Sequence, residues 1–108
     1  MVANVLPYTE TVQEKHGTGR EYRIRTFSMN IDQRDLTWHR SDTRSRTIHI
    51  LQGTGWKFLV EDRPSIDFEV GIDYHLPKQG KCQLQKGVDD LVIRIEEHYH
   101  PYLKKTIL

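Results

Sequence analysis

Gln52-Gly53-Thr54-Gly55-Trp56 and, about two strands later, Gly71-Ile-Asp-Tyr-His-Leu-Pro77-Lys-Gln-Gly80 are strand ends closed by glycine. Between them Trp56-Lys-Phe-Leu-Val-Glu61 reads as a strand entering the turn Asp62-Arg63-Pro64-Ser65. Glycine reaches backbone angles that other residues resist, and proline fixes φ and removes a donor. Recurring at short intervals, these residues make tight corners between short strands, the pattern of a small antiparallel barrel. The interior of such a barrel is a pocket, so the residues that face it decide function.

Outward from this stretch the same pattern continues. Residues 1–19 are expected to form an N-terminal arm, with Pro7, Gly17 and Gly19 interrupting any regular element. Tyr22 and Ile24 alternate with Arg23 and Arg25 as a strand does, and the phase then shifts to Phe27, Met29 and Ile31, which predicts a bulge near Thr26. Asp32-Gln-Arg-Asp35 is turn-like, Leu36-Thr-Trp38-His39 begins another strand, and Thr47-Ile-His-Ile-Leu51 is strongly β-prone through its branched residues. Further strands are predicted over Ser65–Val70, with Ile66, Phe68 and Val70 on one face, over Tyr74–Pro77, over Cys82–Lys86 and over Leu91–Glu96. Turns are predicted at Gln79-Gly80 and at Gly87-Val-Asp-Asp90. Strands every eight to twelve residues with little helical periodicity make the chain all-β, a barrel or sandwich. The organisation expected is an arm over 1–19, a barrel over 20–97 and a tail over 98–108.

Composition bounds the function. The 108 residues suffice for one core. Hydrophobic residues at 36%, charged residues at 29% and a formal charge of +1 are those of an ordinary globular domain with no general pull toward nucleic acid or anionic membrane. No apolar run approaches the ~20 residues of a membrane span. Met1-Val-Ala-Asn-Val-Leu-Pro7 lacks the basic start and apolar core of a signal peptide, and the lone Cys82 excludes an internal disulfide, so a cytoplasmic setting is expected. Charge is nevertheless uneven. From Lys15 to Arg46 eight basic residues, seven of them arginine, face four acidic ones. Arginine is the fork suited to carboxylate and phosphate.

Arg46-Thr-Ile-His-Ile-Leu-Gln-Gly53, Gly55-Trp56, Gly71 separated by five residues from Pro77, Gly80 and Asp89-Asp90-Leu-Val-Ile-Arg-Ile together resemble a small single-domain cupin. The likeness runs from about Leu36 to Glu96. It implies a cupin-type double-stranded β-helix, a jelly-roll barrel whose open end holds the site, and a habit of homodimerising through strand exchange or sheet packing. Cupins usually carry two metal-binding motifs. In this chain the place of the glutamate, seven residues before Gly53, is taken by Arg46; the histidine pair falls on His39 and Ser41 or on Arg40 and Asp42; the later histidine falls on Cys82 or Gln83. Arginine stays protonated and cannot ligate, so the resemblance carried onto these residues argues against the usual metal. No cofactor is therefore expected. The alternative is a divalent metal ion on His39, Cys82 and His75, with His49 assisting.

The function expected is that of a small-molecule-binding module. An arginine-lined cavity would take a small anionic ligand, such as a carboxylate-bearing sugar or an organic acid. Arg46 would be the counter-charge, helped by His39 and by Arg25 or Arg23, with Trp38 and Tyr74 beside the ligand. Asp42 is the acidic residue that could instead pair with Arg46. The alternative is a metal-dependent enzyme of dioxygenase, isomerase or decarboxylase type, or one using His39 as general base and Arg46 to stabilise an enolate or carboxylate. A third reading makes the barrel a dimerisation scaffold filled by Trp38, Phe58 and Tyr74. The remaining residues carry plainer expectations: Cys82 a buried thiol, His49 on the outer sheet surface, and His98 and His100 in the tail.

Overall fold

Wherever branched and aromatic residues alternate with polar ones, the backbone is extended, and these stretches pair into two antiparallel sheets. The computed structural model describes residues 6–15, 20–41, 45–76 and 79–98. The strands are β1 Thr9–Lys15, β2 Arg20–Phe27, β3 Thr37–Ser41, β4 Ser45–Gln52, β5 Lys57–Val60, β6 Ile66–Asp67, β7 Asp73–Leu76, β8 Gln79–Gln85 and β9 Leu91–His98. One sheet has the order β1-β2-β9-β4-β7 and the other β3-β8-β5-β6. Among the described residues no helix is long and apolar enough to cross a membrane.

The two inner faces make one core. Ile48, Ile50, Leu91, Ile93 and Ile95 from the first sheet meet Phe58, Val60, Cys82 and Leu84 from the second, all of them buried. Each large apolar side chain so placed contributes about 1.5–3 kcal/mol relative to exposure. Phe68 follows β6 and stacks on Phe58 at 5.9 Å between ring centroids. At one end the corner Gly53–Trp56 docks onto the turn before β9: the indole Nε1 of Trp56 donates to the Asp89 carbonyl at 2.7 Å, and Thr54 N donates to Asp89 Oδ1 at 2.7 Å. Gly53 is needed there because its φ is +144° and a Cβ would stand 2.8 Å from Leu91 Cδ1.

The segment between β2 and β3 is tied across the same end. The Gln33 side chain donates to the Leu84 carbonyl at 2.6 Å and accepts from Lys86 N at 3.1 Å, while Lys86 Nζ donates to Ile31 O at 2.7 Å. Asp32 caps the 3-10 turn Gln33–Leu36. Side-chain and then backbone hydrogen bonds from Arg34 lower its pKa to about 2.

Four local expectations are corrected. The stretch assigned to an irregular arm contains β1, which pairs in unbroken register with β2 from Thr9↔Thr26 to Lys15↔Arg20. Thr9, Thr11 and Val12 suit a pleated surface, and a neighbouring strand was there to receive them. No bulge interrupts β2 near Thr26: its pairing with β9 is continuous from Arg23↔Ile95 to Phe27↔Leu91. Arg23, Arg25 and Phe27 therefore share one face, and the apolar positions Tyr22 and Ile24 lie on the other. β6 stops at Asp67, leaving Val70 in a turn and 59% exposed. Gln79 and Gly80 open β8 opposite Ser41 and Arg40 instead of turning the chain.

Candidate binding site

Strand period decides which side chains reach the hollow between the sheets. β9 lies between β2 and β4, with Arg25↔Ile93 on one side and Ile48↔Ile95 on the other. Counting by twos along each strand brings Arg25 and Phe27, Ile93 and Ile95, and Arg46 and Ile48 onto the inner face. With Leu76 they line one wall of a cavity of about 40 Å³; Phe58, Phe68, Cys82 and Leu84 line the other. Among these described residues eight are apolar, two are arginines and one is a cysteine. The guanidiniums arrive from strands on either side of the Ile93–Ile95 floor.

Arg46 is among the residues that line the hollow, and its Nε is buried. In register it stands opposite Leu76 on β7 and Glu97 on β9. Arg25 is held from two directions. Its Nε donates to Glu10 Oε1 at 2.5 Å, and its guanidinium carbon lies 4.2 Å from the centroid of the Tyr8 ring. Glu10 also accepts from Arg23 Nη1 through Oε2 at 2.9 Å. Among the described residues the one hydrogen bond of Arg25 is made through its Nε.

Glu10 and Tyr8 were not singled out in the sequence. The one available signal was an acidic residue in the β-prone run Thr9-Glu10-Thr11-Val12. Burial raises the Glu10 pKa, but hydrogen bonds and charge from Arg25 and then Arg23 outweigh it and hold the carboxyl below its ordinary 4.5. A depressed carboxylate pKa stabilises the fold above the unfolded value, and this contribution is lost as pH falls through the folded one. Urea midpoints of the wild type and Glu10→Gln are therefore expected to differ by on the order of 1 kcal/mol above about pH 5. The gap should close progressively on acidification below 4.5. A gap that stays constant through this range would dismiss Glu10 as the clamp.

The other sequence candidates disperse. Trp38 is the register partner of Cys82, whereas His39 pairs with Lys81 and so alternates with the Cys82 row. Cys82 is buried within the cavity wall. His75 lies on the outer face of the first sheet, exposed, with its Nδ1 3.0 Å from Thr47 Oγ1. Of the trio His39, Cys82 and His75 proposed for a metal, the two whose side chains are described lie on different faces, Cys82 buried between the sheets and His75 exposed outside them. His49, also on the outer face, pairs through Nδ1 with Asp73. Among the described residues no three or more His, Cys, Asp or Glu side chains group closely enough to hold a metal ion.

Tyr74 is not among the described lining residues. Its hydroxyl donates to the Asp67 carbonyl at 3.0 Å and accepts from Glu69 N at 3.0 Å, and its ring packs 5.1 Å from Phe68. It tethers the β6–β7 connection. Asp42 and His100 lie outside the described residues, as does the side chain of His39.

Solved structures share this arrangement at low sequence identity. The DMSP lyase DddQ from Ruegeria pomeroyi DSS-3 superposes with a TM-score of 0.65 at 11% identity, over 88% of this chain and 48% of that one. A cupin-2 domain containing protein from Shewanella frigidimarina gives 0.59 at 13% identity, over 83% of this chain and 80% of that one. The chain has the cupin-like fold of these structures. The EutQ protein of Clostridium difficile also matches, with a TM-score of 0.56 at 11% identity over 91% of this chain and 68% of that one. The cupin-like chain spans less than half the length of the two DMSP lyase structures it resembles. No family model and no curated protein matches its sequence.

Proposed function

We propose that this cupin-like barrel is a binding module for a small anionic ligand and that it works without the usual metal. The observation that carries the proposal is Arg25. It is pinned by Glu10 and Tyr8, it lines an otherwise apolar cavity, and its Nη groups donate to nothing among the described residues. A guanidinium fork in a low-dielectric wall favours a carboxylate or phosphate oxygen over water. Arg46 adds positive charge from the far side of β9. The alternative enzyme is less well supported: none of the described lining residues is a histidine, aspartate or glutamate that could move a proton.

The test is an NMR titration of the metal-free protein with acetate and with inorganic phosphate, following the methyl groups of Ile93 and Ile95. Saturable shifts with at least one anion are expected, and Arg25→Gln should weaken that binding about tenfold or more, the worth of a charge-assisted hydrogen bond. Shifts that neither saturate nor depend on Arg25 would remove the reading. So would binding that requires added iron, zinc, nickel or manganese.

A further inference from the structure

The size and lining of the cavity say which anions it can take. We propose that the ligand is a short-chain monocarboxylic acid of about two to four carbons, its carboxylate on the Arg25 side and its saturated tail against Phe58, Phe68 and Leu84; this rests on the anion-binding reading above. The cavity measures about 40 Å³. That is roughly three water-sized positions, well short of the ~300–1,000 Å³ that enclose drug-sized molecules. A sugar acid, the larger candidate suggested by the sequence, therefore does not fit the structure as it stands. A carboxyl group with one to three further carbons does.

Chemistry narrows the class as size does. Beyond the two arginines the described wall offers one thiol and eight apolar side chains. A hydroxyl carried against Phe58, Phe68 and Leu84 would lose its water without finding a donor or acceptor among those side chains, an expense a methylene chain avoids. A saturated tail instead gains favourable burial for each carbon it places against Phe58, Phe68 and Leu84. The polar end is equally defined. The Arg25 guanidinium is fixed by Glu10 at its Nε and by Tyr8 on its face, so its Nη edge is the part left to meet a carboxylate.

The experiment is a titration panel on the wild-type protein, read by the same methyl shifts: acetate, propionate, butyrate, succinate, glucuronate, inorganic phosphate and 1-propanol. Propionate or butyrate is expected to bind about tenfold or more tightly than succinate, glucuronate or 1-propanol. Cys82→Leu adds volume to the wall between the sheets while leaving both arginines in the sequence and should abolish that binding, while Arg25→Gln should reduce it about tenfold. If the leucine variant does not fold, the wild-type panel alone decides. Equal or tighter binding of glucuronate, succinate or phosphate, still dependent on Arg25, would overturn the monocarboxylate class and leave the anion site standing. Failure of every anion to bind would overturn both.

Discussion

Gly87→Ala is expected to destabilise the protein by about 3 kcal/mol or more, a large fraction of the ~5–15 kcal/mol that keeps a domain folded. A Cβ at this position would sit 1.9 Å from the Thr54 carbonyl oxygen, 2.6 Å from Trp56 Cδ1 and 2.8 Å from Trp56 N. Two of those three atoms belong to the backbone, so no rotamer change relieves the contact. The Gly53–Trp56 corner would have to lift off the turn before β9. Lifting it breaks the Val88 N to Thr54 O bond of 3.0 Å and the two bonds that Asp89 accepts from Thr54 N and the Trp56 indole. Urea denaturation at constant slope checks this. A variant within 1 kcal/mol of the wild type would mean the corner moves easily.

Trp56→Ala should cost about 3–5 kcal/mol, the range for emptying a core site of an aromatic side chain. Trp56 is 1% exposed and packs 6.5 Å from Phe27 between ring centroids. Its removal also leaves the Asp89 carbonyl without the indole donor. Trp56→Phe keeps most of the apolar volume and should lose only about 1–2 kcal/mol. Because Gly87 and Trp56 touch, Gly87→Ala and Trp56→Ala combined should fall short of additivity by at least 0.5 kcal/mol or so. Additivity would show that the clash is with Thr54 alone. The corner lies seven residues, or roughly 20 Å of strand, from Arg46 along β4, so these losses should read as stability and not as altered ligand affinity of the folded fraction.

Much of the architecture was legible locally. The strands over Tyr22–Arg25, Thr47–Leu51, Trp56–Glu61 and Leu91–Glu96 all lie within or across observed strands. The glycines at the expected corners, Gly53, Gly55 and Gly71, all have positive φ. Asp62, in the expected turn, has φ +64°. Period-two alternation and glycine's steric freedom are properties of a few consecutive residues, so they survive without knowledge of the rest of the chain.

Strand parity places Arg46 on one face with Ile48 and Ile50, and that much is legible in the sequence. That the Tyr74 hydroxyl bonds the backbone of Asp67 and Glu69 is not, because those partners are brought to it by the turn between β6 and β7. Arginine excess between Lys15 and Arg46 was visible, yet its counter-charge was not, since Glu10 lies outside that window and reaches Arg23 and Arg25 only through the β1–β2 pairing.

By itself the sequence determined an all-β chain with sharp glycine corners and the buried character of its apolar strand positions. Only the tertiary structure decided that β1 joins the sheet, that His75 lies outside the sheets while Cys82 is buried between them, and that the described hollow is small. The reason is the range of the forces involved. Backbone preference acts over neighbours in the chain, whereas strand register, and with it the face each side chain occupies, is set by pairing between residues far apart in sequence.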